Sequence, residues 1–239
     1  MARLRRCRDH WPAGRTAAAA TGLSLLTVAL LPPVATHDEQ FLVHVTQHLL
    51  LASAAQLLLA LSAPVTLALR TLPTAARPAM LGLVHSSLAR IGTHPVVIVA
   101  LNLGPLYGLY LTSIFETMQR HPLLHAAVHL HMIAAGCLLS WYLVGIDPLP
   151  RRGGLRTRLA VLVAVAGGHD VLAKLMYVHT LPATDSSADV RAGAQLMYYG
   201  GDAVELALLV VLLVQWYRST GRELARTARR DQPVPISGR

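Results

Sequence analysis

The sequence predicts an all-α membrane protein: a polytopic bundle of about six transmembrane helices with both termini in the cytoplasm. Three observations predict it. Of the 239 residues, 54% are hydrophobic and only 14% are charged, and the apolar residues fall in long runs rather than in amphipathic patterns. Six of these runs are long enough to cross the hydrocarbon, which takes about 20 residues. They lie near residues 17–35, 41–63, 95–115, 123–145, 157–180 and 194–217. The arginines between them are distributed with one strong bias. Arg3, Arg5, Arg6, Arg8 and Arg15 precede the first span; Arg70, Arg77 and Arg90 follow the second. Arg151, Arg152, Arg156 and Arg158 follow the fourth, and Arg218, Arg222, Arg226, Arg229, Arg230 and Arg239 follow the sixth. Only Arg120 and Arg191 fall on the other links, so the positive-inside rule puts both ends in the cytoplasm.

The chain therefore divides into a basic cytoplasmic N-terminus (1–16), a membrane bundle (17–217) and a basic cytoplasmic tail (218–239). The tail ends in Gln232-Pro-Val-Pro-Ile-Ser-Gly-Arg239 and reads as disordered. The first span has a rival reading as a cleaved signal peptide ending at Val34-Ala35, although Pro33 fits a cleavage site poorly. Pro64 is expected to kink or end span two. The link 70–94 carries Met80, Leu83, Val84, Ser87, Leu88 and Ile91 at helical spacing, as in a short helix lying on the inner surface. The segment 181–193, with Asp185 and Asp189, reads as a short outer loop.

Net charge is +9, but the basic residues sit in four separate segments, which argues against a nucleic-acid surface. Cys7 lies in the basic N-terminus and Cys137 inside an apolar run, so no disulfide is expected. There is no internal repeat, phosphate loop or CxxC motif.

The chemistry lies in the histidines. His44-Val-Thr-Gln47-His48 places two imidazoles on one helix face with Gln47 beside them. His121-Pro-Leu-Leu-His125-Ala-Ala-Val-His129 repeats the arrangement at the start of span four. At about 1.5 Å per residue, both pairs lie at matching depth below the outer surface. His37, His121 and His179 fall on the same side, while His10, His85 and His94 are cytoplasmic. Ionisable groups within a membrane segment usually face the bundle interior, and neutral imidazole suits copper, zinc, iron or nickel. Hence His44, His48, His125 and His129 are candidate metal ligands. The plainer alternative is interhelical hydrogen bonding. His131 points to another face and reads as structural; His121 precedes Pro122 and reads as a cap. Met132 and Met197 are more often packing than ligands.

Spans five and six carry His169-Asp170, Lys174, Asp202 and Glu205. Pairing of Lys174 with Asp170 or Asp202 is expected from the cost of a lone charge in the membrane. The functional reading makes Asp170, Lys174, Asp202 and Glu205, with Gln47, a polar path or a set of groups supporting the histidines. Asn102, Tyr107 and Tyr110 read as interhelical hydrogen bonders.

His44-x-x-Gln47-His48-Leu-Leu-Leu followed by Ala63-Pro64 resembles the CtaG-type cytochrome c oxidase assembly factors of bacteria. So do His121-Pro-x-x-His125-x-x-x-His129 with Gly136 and Trp141-Tyr142, and Asp189 with Gly193-Ala-Gln-Leu-Met197-Tyr-Tyr-Gly200-Gly201-Asp202. The resemblance covers about residues 37–217. Val128 departs from it where such proteins often carry a glutamate, and six spans stand where many have seven. The resemblance implies a non-enzymatic factor of the bacterial cell membrane that serves assembly of caa-type oxidases, with copper as the metal. Its implied partners are the lipid bilayer, a cytochrome c oxidase subunit and an extracytoplasmic copper donor. By ligand preference alone the site would also take zinc. Two other functions stay open at this point. One is a haem-binding electron carrier using paired histidines; the other is a metal or proton transporter using the acidic path.

Overall fold

The computed structural model of the chain describes residues 11–230 apart from 33, 38 and 183–185. Arg3, Arg5, Arg6, Cys7, Arg8, His10, Pro33, Asp185 and Arg239, used above, lie outside the described residues, as does the tail 231–239. Among the described residues every regular element is helical, as a chain inside lipid requires when its backbone groups must be satisfied within one segment. Helix α1 is Ala13–Leu30. Helix α2 runs over 41–62 as Phe41–Leu49, a π-helical turn at Leu50–Ala54, and Ala55–Ser62. Then follow α3 (Pro64–Thr71), α4 (Arg77–Val84), α5 (Ser87–Gly92), α6 (Pro95–Leu111) and α7 (Ile114–Arg120). The chain continues as α8 (Pro122–Val144), α9 (Leu155–His179) and α10 (Ser187–Arg230).

Five helical stretches are long and apolar enough to cross a membrane, and the bent pair α6–α7 makes a sixth if taken as one span. This corrects the expected third span. The 17 residues of α6 reach only about 26 Å, short of a typical ~30 Å hydrocarbon core. The helix then breaks at Thr112-Ser113 and turns by 82° into α7. The Thr112 hydroxyl donates to the Gly108 carbonyl at 2.5 Å and accepts from the Ile114 N–H at 3.3 Å, so it holds both sides of the break.

Span two ends where Pro64 predicted it would. Ala63 adopts a left-handed conformation (φ 53°) and Pro64 opens α3, where its missing N–H costs nothing. The N-terminus of α3 is closed by Asp147. This carboxylate accepts from the backbone N–H groups of Val65 (3.2 Å) and Thr66 (2.7 Å), the Thr66 hydroxyl (2.6 Å) and the Trp141 indole N–H (3.0 Å). The link 70–94 contains the two short helices α4 and α5. Leu83, Leu88 and Ile91 are exposed on them, which suits an apolar face lying on a membrane surface.

Helix α10 is longer at both ends than the sequence predicts. It is 44 residues, about 66 Å, twice the hydrocarbon thickness, so its end carrying Arg218, Arg222 and Arg226 projects past the bilayer. Its first turns occupy most of the stretch read as an outer loop.

Helix α2 is the centre of the bundle, packed by α1, α8 and α10, while α9 joins α6 and α10. At Gly136 of α8 the backbone of α2 comes so close that an added Cβ would overlap the Ala52 carbonyl. Ala52 is in the π-turn, so the widened backbone of α2 occupies the notch that glycine leaves. Two apolar clusters result. One, containing Phe41, Tyr110, Phe115, Met118, Met132 and Met197, surrounds the histidine end of the bundle. The other, containing Ile98, Leu139, Leu143, Val161, Leu162 and Leu208, fills the opposite end. Met132 and Met197 thus act as packing residues. Large apolar side chains such as Leu123, Leu130, Val163 and Leu206 point outward, the surface that lipid rather than water would cover.

Candidate functional site

The site begins at Phe41, where α2 starts. Its first turn puts His44 and His48 on the buried face: His44 is fully buried and His48 nearly so. Helix α8 starts at Pro122, and its first two turns bring His125 and His129 to the same end of the bundle. The rings of His44 and His129 stack across the two helices, 6.1 Å apart and 25° from parallel. His125 and His129 meet edge to face at 4.4 Å along their own helix. The two pairs therefore come together as their spacing anticipates.

A fifth imidazole joins them. His169, from α9, lies 6.0 Å from His48 at 35°. In the sequence His169 stands among the charges of span five, and nothing there assigns it to the cluster. The signal was there in its adjacency to Asp170, but its partner on α2 is visible only in the fold. Behind it, Glu205 of α10 brings Oε1 to 3.9 Å from His169 Nδ1. Of the carboxylates considered, Glu205 comes within 4.0 Å of a histidine, and Asp202 is a further electrostatic neighbour of the same ring. Gly201, one turn earlier on α10, makes room for the ring, since a Cβ there would stand 2.7 Å from His169 Nδ1. Asp170 and Asp202 are electrostatic neighbours of each other and of Glu205, so a short acidic strip continues from His169.

The bend at Thr112 supplies the remaining wall. It sets Phe115 edge-on to His44 at 5.1 Å and Tyr110 edge-on at 6.0 Å. Phe41 packs edge-on against both aromatics at 5.6 Å. In this apolar surround both ring nitrogens of His44 lack a hydrogen-bond partner, as do His48 Nδ1, His129 Nε2 and the Tyr110 hydroxyl. Tyr110 is thus a cluster neighbour rather than the interhelical hydrogen bonder expected. A cavity of about 50 Å³ adjoins His48, Ser53, Asn102, His169 and Glu205. That is room for a water or an ion. A larger recess of about 290 Å³ between α6 and α8 ends on the other side of His48 and carries His131 and Asn102 on its walls.

Other expected residues have different duties. His131 bonds the Leu101 carbonyl at 2.9 Å and ties α8 to α6, in line with its structural reading. The Asn102 amide reaches Ile98 and Ala135 carbonyls, and the Tyr107 hydroxyl donates to the Gly168 carbonyl at 2.8 Å; both bridge helices as expected. Gln47 donates to the Ala29 carbonyl at 2.8 Å and so fastens α1. His121 occupies the N-cap position of α8 but makes no side-chain capping bond. The expected ion pair of Lys174 is not closed at contact distance: no Lys174–Asp170 or Lys174–Asp202 bridge forms within 4.0 Å. Asp170 is still an electrostatic neighbour of Lys174, and the ammonium lies 5.1 Å over the Tyr198 ring. Lys174 is exposed on the outside of the α9–α10 pair, where a long stem can carry its charge toward the interface.

Among the described residues no three His, Cys, Asp or Glu side chains close around a common metal position. The cluster offers unbonded imidazole nitrogens from two helices, His44 and His48 on α2 and His129 on α8. The ring pairs in the cluster are one near parallel, one tilted and one edge to face.

The profile of the cytochrome c oxidase caa3 assembly factor family (Caa3_CtaG) matches residues 1–219. Among curated proteins, an uncharacterised protein of Mycobacterium leprae is 31% identical over 95% of this chain and 38% of its own length. Uncharacterised proteins of Mycobacterium bovis and Mycobacterium tuberculosis are each 30% identical over 96% of this chain and 38% of theirs. The chain thus spans less than two fifths of the length of these curated relatives. No solved structure matches it significantly. The long apolar helices and the bacterial relatives make it a multi-pass protein of a bacterial cell membrane.

Proposed function

The chain belongs to the cytochrome c oxidase caa3 assembly factor family, and on that premise we propose that it assists copper insertion into the oxidase by holding the ion transiently on its imidazole cluster. It acts as a chaperone and not as an enzyme. The observation that carries the proposal is His44: fully buried, stacked on His129, with both ring nitrogens unbonded. A buried imidazole without any hydrogen bond is costly to keep, and a positively charged cargo that binds neutral imidazole would repay that cost.

In this reading the five rings form a relay. His125 and His129 sit at the outer start of α8, His44 lies beside them, and His48 and His169 continue inward. Small χ rotations would turn ring nitrogens toward an ion without moving helices. Glu205, behind His169, would hold that ring in the tautomer whose other nitrogen is free to bind. Phe41, Tyr110 and Phe115 exclude water from His44, and the incomplete closure of the ligands favours release over retention. The arginine bias supports an arrangement in which both termini are cytoplasmic and the cluster lies in the outer half. A copper donor outside the cytoplasm and an oxidase subunit would then approach from that side. Haem is the weaker alternative, because the family match speaks for oxidase assembly rather than electron transfer.

The test is to replace His44, His48, His129 and His169 singly by alanine in cells that make the oxidase. Protein level in the membrane and copper content of the purified oxidase are measured together. The proposal expects normal protein level with copper-poor oxidase for His44 and His48. A quadruple variant that still yields fully copper-loaded oxidase would remove the cluster from the mechanism.

A further inference from the structure

At the end of the bundle away from the histidines there is a further cavity, of about 760 Å³. Its walls come from the start of α1, the ends of α2 and α8, the start of α9 and the second half of α10. Five arginines line it: Arg15, Arg152, Arg158, Arg218 and Arg222. No carboxylate does so among the described residues. Asp147, which is near in sequence to Arg152, spends both oxygens on α3 and Trp141.

Arg158 is the diagnostic residue. It is nine-tenths buried, yet its Nε and one terminal nitrogen have no hydrogen-bond partner. A guanidinium is always charged and its fork matches the oxygens of a phosphate. Four further guanidinium groups around the same space repel one another unless an anion lies between them. The remaining wall is apolar, with Leu61, Val210 and Val214, and Trp216 stands at the same level. Tryptophan is typical of the zone where head groups meet acyl chains.

We propose that this cavity binds a phosphate-bearing anion, gripped by Arg158 at its floor and by Arg152, Arg218 and Arg222 around it. The apolar wall beside the arginines fits the phosphodiester of an anionic lipid, whose acyl chains would follow Val210 and Val214. Basic pockets between membrane helices at the cytoplasmic face are the usual seats of such head groups. The site is independent of the histidine cluster, and nothing in it depends on copper.

The full-length protein is purified in a neutral detergent and its melting temperature followed against three additions: phosphatidylglycerol, phosphatidylcholine and inorganic phosphate. The expected result is saturable stabilisation by phosphatidylglycerol and none by phosphatidylcholine. If inorganic phosphate alone reproduces the full shift, the anion is a soluble one; if lipid is required, it is a head group. Either outcome supports the site provided it depends on the arginines. Arg158→Gln should weaken the midpoint at least tenfold. Arg222→Gln, at the exposed rim where folding is not at stake, should weaken it about threefold, and Arg120→Gln at the other end should leave it unchanged. Equal stabilisation by phosphatidylcholine, or equal midpoints for the native, Arg158→Gln and Arg222→Gln proteins, would overturn the proposal.

Discussion

The carboxylate of Asp189 closes the N-terminus of a helix 148 residues earlier: its Oδ2 accepts from the Phe41 N–H at 2.7 Å. Its other oxygen accepts from the Leu42 N–H at 3.3 Å. The first turn of α10 thereby fixes the first turn of α2, and with it the direction in which His44 leaves the backbone. Asp189→Ala should cost about 1–2 kcal/mol, the usual worth of a side-chain N-cap. It should also reduce oxidase maturation more than its effect on protein level accounts for. Melting temperature in detergent and oxidase copper content, measured on the same strain, check this. An unchanged melting temperature would mean that water serves the two N–H groups equally well.

Gly136→Ala should be severely destabilising, because the new Cβ meets the backbone carbonyl of Ala52, which no rotamer change can move. Overpacking of this kind costs about 1–3 kcal/mol. Gly82→Ala and Gly167→Ala are the controls. Both lie in helices with open space around them, so alanine there should be neutral or stabilise by about 0.5–1 kcal/mol. Thermal melts of the three variants side by side would show whether the notch at the π-turn is needed.

Lys174→Met should leave protein yield and melting temperature close to native. The ammonium is exposed and lies over Tyr198, with no carboxylate among the described residues within 4.0 Å. Had Lys174 been the buried half of an ion pair, its loss would strand an aspartate at several kcal/mol. A large fall in yield, rescued by Asp170→Asn or Asp202→Asn, would restore the paired reading.

The topology is checked by cysteine labelling in whole cells, on a background with Cys7 and Cys137 replaced by serine. Ser186→Cys, before α10, should react with an impermeant maleimide added outside, and Ser219→Cys, beyond the span, only after permeabilisation. Labelling of Ser219→Cys from outside would reverse the orientation and with it the approach side of the copper cluster.

Much of this protein was legible in its sequence because a membrane filters sequences so strongly. Apolar runs of spanning length, eighteen arginines on alternate links and two i,i+4 histidine pairs each follow from one-dimensional rules: helix rise, the cost of charge in lipid, the periodicity of a helix. They fix the helical class, the approximate spans, the break at Pro64, and which face of α2 and α8 carries imidazole. The tertiary structure decided everything that depends on a partner from another helix. The 82° turn after α6 is held by one threonine hydroxyl, and nothing local distinguishes Thr112 from the other threonines of the chain. The role of Asp189 as a cap needs Phe41, and the approach of Glu205 to 3.9 Å from a histidine needs His169. Lys174 lies outside the bundle because of how α9 is rotated against α10. A sequence states which groups a helix carries on each face; only packing, where a glycine notch or a bent helix sets the approach, states which faces meet.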